Sequence, residues 1–263
     1  PRLFRLPKDN ALINRMGFNN EGADVLAERL AKIKQKDFIL GINIGKNKDT
    51  PVESALEDYR VCLRKVYLVA DYVTINISSP NTENLRNFHD QENLKKLLSE
   101  ILKTKKILDS KTPVVLKISP DINDGDINII CKNILEFNLD GLVLTNTSIK
   151  LRENLVSDKK NEVGGLSGAP INKTSNLIIK KFFKIIKNKI PIIGVGGVSS
   201  GATAYEKIRA GASLLQLYTG LVYKGPFIVK TIKNELAKLL KKDGFSSLQE
   251  AVGVDSEQVN HRS

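Results

Sequence analysis

The chain has 263 residues, 41% hydrophobic and 27% charged, with a formal net charge of +12. That balance fits one ordinary globular α/β domain with a sizeable core. It contains no run of about 18 apolar residues to cross a membrane and no secretory signal, and its histidines and cysteines (His89, His261, Cys62, Cys131) make no HExxH helix, CxxC pair or His-rich metal site.

The chain opens at Pro1, without an initiator Met, which predicts a missing start. A helix pattern over residues 22–36 precedes the first apolar run, Phe38–Ile44. Thr50-Pro51-Val52-Glu53 then combines a capping box with Pro at the first helical position. A second strand is predicted at Tyr72–Ile77, followed by a helix with a stripe of Leu94, Leu97, Leu98, Ile101 and Leu102. Strand Pro113–Ile118 leads to a helix carrying Ile127, Ile130, Cys131 and Ile134. Strand Gly141–Thr145 precedes a long loop and a helix carrying Ile178, Phe182 and Ile186. Strands Pro191–Val195 and Ser213–Tyr218 complete the set, and the last helix presents Val229, Ile232, Leu236 and Leu239 before Gly244 as its C-terminal cap. None of the strands alternates apolar with polar residues, as expected of parallel strands covered on both faces.

The basic residues spread along helices (Lys180, Lys181, Lys184, Lys187, Lys189; Lys238, Lys241, Lys242) with no interleaved aromatics, so they read as a solvated face, and no nucleic-acid partner is expected. Strands alternating with helices give βαβ units, either as an open doubly wound sheet or as a (β/α)8 barrel. Asn43, Asn76, Lys117, Asn146, Gly196-Gly197 and Tyr218 stand at the C-terminal ends of the strands. A barrel gathers all such ends into one ring, whereas an open sheet gathers only those at its switch point, which favours the barrel. Six strands are predicted where this fold has eight, so the deficit is expected upstream of Pro1, with a gap between Phe38–Ile44 and Ser213–Tyr218.

Three features carry chemistry. Pro191–Gly197 ends a strand in glycines before a helix, and Leu217-Tyr218-Thr219-Gly220 ends the next. In barrels such loops hold a phosphate on backbone N–H groups, although a glycine pair alone also reads as a tight turn. Asn76-Ile77-Ser78-Ser79-Pro80-Asn81-Thr82 follows a buried strand, and Asn14–Asn20 and Thr145-Asn146-Thr147 add further amides. Turn chemistry explains some of them; paired donors and acceptors for a planar imide or carboxylate ligand explain more. Lys117, at the end of a buried strand, reads either as an ion pair in the barrel mouth or as a group placed for function.

Taken in order, Asn14–Asn20, Leu40–Lys48, Asn76–Asn81, Lys117, Thr145–Thr147, Gly164-Gly165-Leu166-Ser167-Gly168 and Pro191–Gly197 resemble the dihydroorotate dehydrogenases, from Pro1 to about Ala251. The resemblance implies an FMN-binding barrel over residues 1–251, lacking its N-terminal strands, that oxidises dihydroorotate to orotate in pyrimidine synthesis. Ser79 matches the family's catalytic base, with Phe18 and Thr82 flanking it. Asn14, Gly17, Phe18, Asn76, Asn81, Asn146 and Thr147 match its substrate-binding set. Asn43, Asn76, Lys117, Thr145, Gly168, Gly197, Tyr218 and Thr219 match its flavin contacts.

Ser rather than Cys at position 79 resembles the quinone-reducing class. That class implies a quinone acceptor, a monomer, and attachment to the cytoplasmic face of the inner membrane through an N-terminal element not present here. Asp255–Ser263 has no counterpart in the family and reads, within residues 252–263, as a loose tail. The rival readings are a tRNA dihydrouridine synthase, whose net positive charge would serve RNA, and a fragment that neither closes its barrel nor holds flavin.

Overall fold

The structure, a computed structural model, describes residues 1–33, 37–47, 49–78 and 90–256. A hairpin comes first. Strands β1 (Leu3–Leu6) and β2 (Ala11–Asn14) pair antiparallel around a turn at Pro7–Asp9, with Asn10 in left-handed backbone. Helix α1 (Ala23–Ala31) follows, shorter than the pattern over 22–36: it ends at a Lys32 cap, and residues 34–36 lie outside the described chain.

From there the predicted rhythm holds. Strand β3 (Gly41–Ile44), helix α2 (Ala55–Val66), β4 (Tyr72–Asn76), α3 (Gln91–Ile107), β5 (Val114–Ile118), α4 (Asp124–Glu136) and β6 (Gly141–Leu144) alternate along the chain. After a loop come β7 (Gly165–Gly168), α5 (Asn172–Ile186), β8 (Ile192–Val195), α6 (Gly201–Arg209) and β9 (Leu214–Gln216). Helices α7 (Thr219–Lys224), α8 (Ile228–Lys242) and α9 (Leu248–Ala251) end the described fold.

The large sheet is parallel throughout, in the order β3-β4-β5-β6-β8-β9. It is a curled α/β sheet of the (β/α)8 barrel type. Curling brings the Gln216 amide of β9 to the Tyr72 hydroxyl of β4 at 3.4 Å, although three strands separate them in the sheet. As the strand count predicts, β3 and β9 are its two edges and do not pair with each other.

Pleating sorts the side chains. In β5, Val114, Leu116 and Ile118 pack against the helices while Val115 and Lys117 face the barrel interior. The helix-facing residues meet Tyr59, Leu63, Leu94, Leu97, Ile130, Phe182 and their neighbours in the main core.

Caps explain where several helices begin and end. Asn123 and Asp126 form a capping box on α4, as Ser200 and Thr203 do on α6. Gly244 closes α8 as expected: its N–H donates to Lys241 O at 3.2 Å, and Phe245 N–H donates to Leu240 O at 3.0 Å. The box predicted at Thr50–Glu53 does not cap an α-helix. A 3-10 turn at Val52–Ser54 intervenes and α2 starts at Ala55. On α8, Val229 is 48% exposed and Ile228 takes its place in the core.

Two further findings depart from expectation. The strands β1, β2 and β7 form a second, antiparallel sheet, with Ala11 opposite Gly168 and Asn14 opposite Gly165. Four residues per strand are too few to show a periodicity, and β2 meets β7 only across some 150 residues. Nor are residues 252–256 loose. Arg209 holds Asp255 with Nε–Oδ2 at 3.0 Å and Nη2–Oδ1 at 2.6 Å, Gly253 N–H donates to Ile208 O, and Ser256 is buried. Residues 257–263 lie outside the described chain.

Asp255→Asn should lower stability by about 1 kcal/mol, the value of a charge-assisted, partly shielded pair. Chemical denaturation reads this directly, and an unmoved midpoint would mean that the Arg209–Asp255 clasp contributes nothing to the fold.

Candidate functional site

The C-terminal ends of β5, β6, β8 and β9 open on one cavity of about 420 Å³. Its wall includes Asn14, Lys117, Thr145, Asn146, Thr147, Gly168, Gly197, Tyr218 and Thr219. Nine of the residues singled out in the sequence therefore share a single space. The small sheet makes this possible. An antiparallel bridge between Ser148 and Leu166 ties the loop after β6 to β7, and pairing with β7 carries β2 and its Asn14 to the rim. At Gly168 (φ +101) a Cβ would lie 2.4 Å from Asn10 O, so only glycine lets β7 and the hairpin approach this closely.

Asn76 sits beside this cavity within a dense amide–hydroxyl cluster. Its Oδ1 accepts from Ser78 N–H (3.1 Å), Ser78 Oγ–H (2.9 Å) and Asn146 Nδ2 (3.3 Å). Asn146 Nδ2 also donates to Ser78 Oγ at 2.9 Å, and Asn146 Oδ1 accepts from Thr147 N–H at 2.8 Å. The Tyr59 hydroxyl, buried behind the sheet, donates to Asn76 O at 2.8 Å and holds the end of β4 in place. Burial pushes the Tyr59 phenol far above its usual pKa, so it stays a neutral donor. Since Asn76 spends its oxygen on this cluster, its Nδ2 donors have no partner among the described residues.

Two more groups stand open. Lys117 has no ion-pair or hydrogen-bond partner among the described residues, and withdrawal from water lowers its ammonium pKa below the usual value. The buried Thr145 Oγ1 likewise lacks a partner. An uncompensated cation and an orphaned hydroxyl in one cavity are costly unless a ligand meets them. The ion-pair reading of Lys117 has no carboxylate to support it among the described residues.

Around the ends of β8 and β9, Gly196 and Gly197 have φ of +119 and +76. A Cβ on Gly197 would lie 2.5 Å from Asn172 Cβ, so the loop is pressed against the first turn of α5. Ser199, Thr219, Gly220 and Lys224 complete this end of the cavity. Ser167 Oγ and Thr219 Oγ1 are 2.8 Å apart, and Lys224 Nζ donates to Ser199 O at 2.8 Å. Asn10, Ser199, Tyr223 and Lys224 also line the wall and are not among the residues singled out in the sequence. Only their place beside the predicted glycine loops could have marked them.

The remaining candidates lie elsewhere. Asn43 and Phe18 line a second cavity of about 440 Å³ between α1, α2 and the free edge of β3, together with Lys46 and Cys62. Gly17 borders neither cavity, although the Phe18 ring it precedes packs on Gly45. Ser79, Asn81 and Thr82 lie outside the described residues. Among the described residues no group of three His, Cys, Asp or Glu could hold a metal ion, and no helix is long and apolar enough to cross a membrane.

Comparisons with known proteins converge on one family. A family model for dihydroorotate dehydrogenase matches residues 1–240. A dihydroorotate dehydrogenase (quinone) of Acinetobacter baylyi is 49% identical over 236 residues, covering 88% of this chain and 70% of that protein. The one of Rhodospirillum rubrum is 46% identical over 260 residues, covering 97% of this chain and 69% of that protein. The crystal structure of DHODH from Eimeria tenella in complex with ferulenol superposes with a TM-score of 0.91 at 37% identity, covering 98% of this chain and 75% of that one.

The open state of Lys117 predicts a trade of stability against function. Lys117→Met should raise the melting temperature of the ligand-free protein by roughly 2–4 °C at neutral pH, the shift expected for about 1 kcal/mol in a domain of this size. The folded pKa is lowered, so the unfolded chain binds the extra proton and the penalty is full below the folded pKa. It shrinks as pH rises toward the ordinary lysine value, so the gap between variant and parent should close on that side. A variant no more stable than its parent at neutral pH would show that Lys117 is compensated.

Proposed function

Because this chain belongs to the dihydroorotate dehydrogenase family, we propose that it carries the FMN-dependent oxidation of dihydroorotate to orotate, with a quinone as the final acceptor. The observation that carries this reading is the cavity itself, which combines a double-glycine loop with a lysine ammonium and a threonine hydroxyl that have no partner among the described residues. The rival reading as a tRNA dihydrouridine synthase falls with the family assignment.

The donor set suits a flavin mononucleotide. Lys117, Thr145 and Asn76 would hold the isoalloxazine end, where a cation and neutral donors match carbonyl and ring nitrogen acceptors. Gly168, Gly197, Tyr218 and Thr219 would hold the phosphate end, where backbone N–H groups and a hydroxyl suit a dianion. Asn43 joins this set through the resemblance alone, since it faces the second cavity. When bound, the flavin supplies a two-electron acceptor for the hydride leaving C6 of dihydroorotate.

The protein's own groups do the rest. Ser79 takes the proton from C5 of dihydroorotate. A serine hydroxyl is a weak base and needs a proton outlet, which the Thr82 hydroxyl would provide, as the family resemblance implies. Asn14, Asn76, Asn81, Asn146 and Thr147 would orient the substrate's imide and carboxylate; Gly17 and Phe18 join this set through the resemblance alone, since Phe18 faces the second cavity and Gly17 borders neither. The Asn76–Ser78–Asn146 cluster holds the Asn76 and Asn146 amides in fixed orientation before substrate arrives. Lys117 would stabilise negative charge that develops during hydride transfer. A monomer bound at the cytoplasmic face of the inner membrane, where quinone is found, completes the reading.

Two variants test it. Thr145→Val replaces an orphaned hydroxyl with a methyl group. It should weaken FMN binding by about tenfold, the cost of one lost hydrogen bond at the upper end of the usual range, without destabilising the ligand-free protein. Ser79→Ala should retain bound FMN yet lose nearly all dihydroorotate-dependent flavin reduction. Wild-type reduction by the serine variant would overturn the base assignment. NAD+ outperforming quinone as acceptor would overturn the class.

A further inference from the structure

One buried charge plays no part in the chemistry above. Lys207, on α6, has no exposed surface, and its aliphatic stem packs under Gly194 of β8, where a Cβ would lie 2.7 Å from its Cγ and Cδ. Among the described residues no carboxylate lies within ion-pair distance of its ammonium. Instead Nζ donates to Ser175 Oγ at 3.0 Å and to Asn176 Oδ1 at 2.7 Å, both on α5. Ser175 passes the contact on, its hydroxyl donating to Val195 O at 2.7 Å. Thr145 N–H donates to the same carbonyl at 2.9 Å. Because the peptide is planar, holding the Val195 carbonyl also fixes the direction of the Gly196 N–H.

A second arm runs alongside. The neighbouring Glu206 carboxylate accepts from Asn172 Nδ2 at 2.9 Å and Asn176 Nδ2 at 3.4 Å. Asn172 is the residue against which Gly197 is pressed, and Ser175 lies 3.1–3.2 Å from where a Gly196 Cβ would be. Two adjacent residues of α6 thus brace the back of the double-glycine loop through α5. Burial draws the Lys207 pKa down to about 7, so the charge is expensive to keep unless an anion sits nearby.

We propose that Lys207 is a positioning residue for the anion subsite at Gly196–Gly197, fixing the loop through Ser175 and placing a buried positive charge behind it. The proposal rests on the reading of that loop as the phosphate subsite. It adds a requirement that a packing role would not impose: loss of Lys207 must affect the phosphate and spare the rest of the flavin.

The test titrates the ligand-free full chain with FMN and with riboflavin, which lacks the phosphate, and follows flavin fluorescence. In Lys207→Met, FMN affinity should fall by about tenfold or more while riboflavin affinity changes by less than about twofold, as for one lost contact to a charged group. Ser175→Ala, which keeps the cation and removes only the relay, should shift FMN in the same direction. Retained riboflavin binding shows that each variant is folded. Equal weakening of both flavins, or unchanged FMN affinity, overturns the role of Lys207. A parent chain that binds FMN no better than riboflavin overturns the phosphate subsite itself, and the inference with it.

Discussion

Each parallel strand of the large sheet must bury one face against a helix, and the pleat then aims alternate residues into the barrel. Everything functional in the molecule depends on that sorting. Val114, Leu116 and Ile118 face the helices, so Lys117 has nowhere to point but inward. The same parity buries Leu142 and Leu144 and brings the next residue, Thr145, to the cavity wall. A one-residue slip in any of these strands would send a polar group into the apolar layer and a leucine into the site.

Inside the cavity, the energetics run against the protein alone. Among the described residues the Lys117 ammonium and the Thr145 hydroxyl have no partner, and Asn76 has spent its oxygen but not its donors. A chain selected only for stability would pair such groups or replace them. Their persistence in one cavity, lined on its far side by a double-glycine loop, makes a ligand the simplest account of the cost. Lys207 extends that logic one layer out, since its ammonium has no carboxylate within ion-pair distance among the described residues and its contacts lead back to the loop through Ser175.

Two peripheral devices stabilise this arrangement. The small sheet seals one side of the cavity and brings Asn14 to it, and Tyr223 fastens the hairpin by donating to Ala11 O at 2.9 Å. At the other end, the segment after α9 folds back onto α6, the helix that bears Lys207, through Arg209 and Asp255. Helix α6 is therefore gripped on one side by the C-terminal segment and on the other by α5.

The six parallel strands, the helices between them and their core stripes are legible in the residue pattern, because apolar periodicity is a local signal. The sequence also marked most of the cavity wall, from Lys117 and Thr145-Asn146-Thr147 to Gly197, since residues at strand ends must meet in a ring. The tertiary structure alone decided the second sheet, where Gly165–Gly168 pairs with Ala11–Asn14, and the clasp that binds Asp255 to Arg209. It alone separated Asn43 and Phe18 from the cavity that nine of the candidates line, and it alone showed Lys207 buried behind the glycine loop. On the sequence, Lys207 is one more lysine in an amphipathic helix. Which face of that helix is covered, and by what, depends on contacts between residues more than thirty positions apart, and no local pattern encodes them.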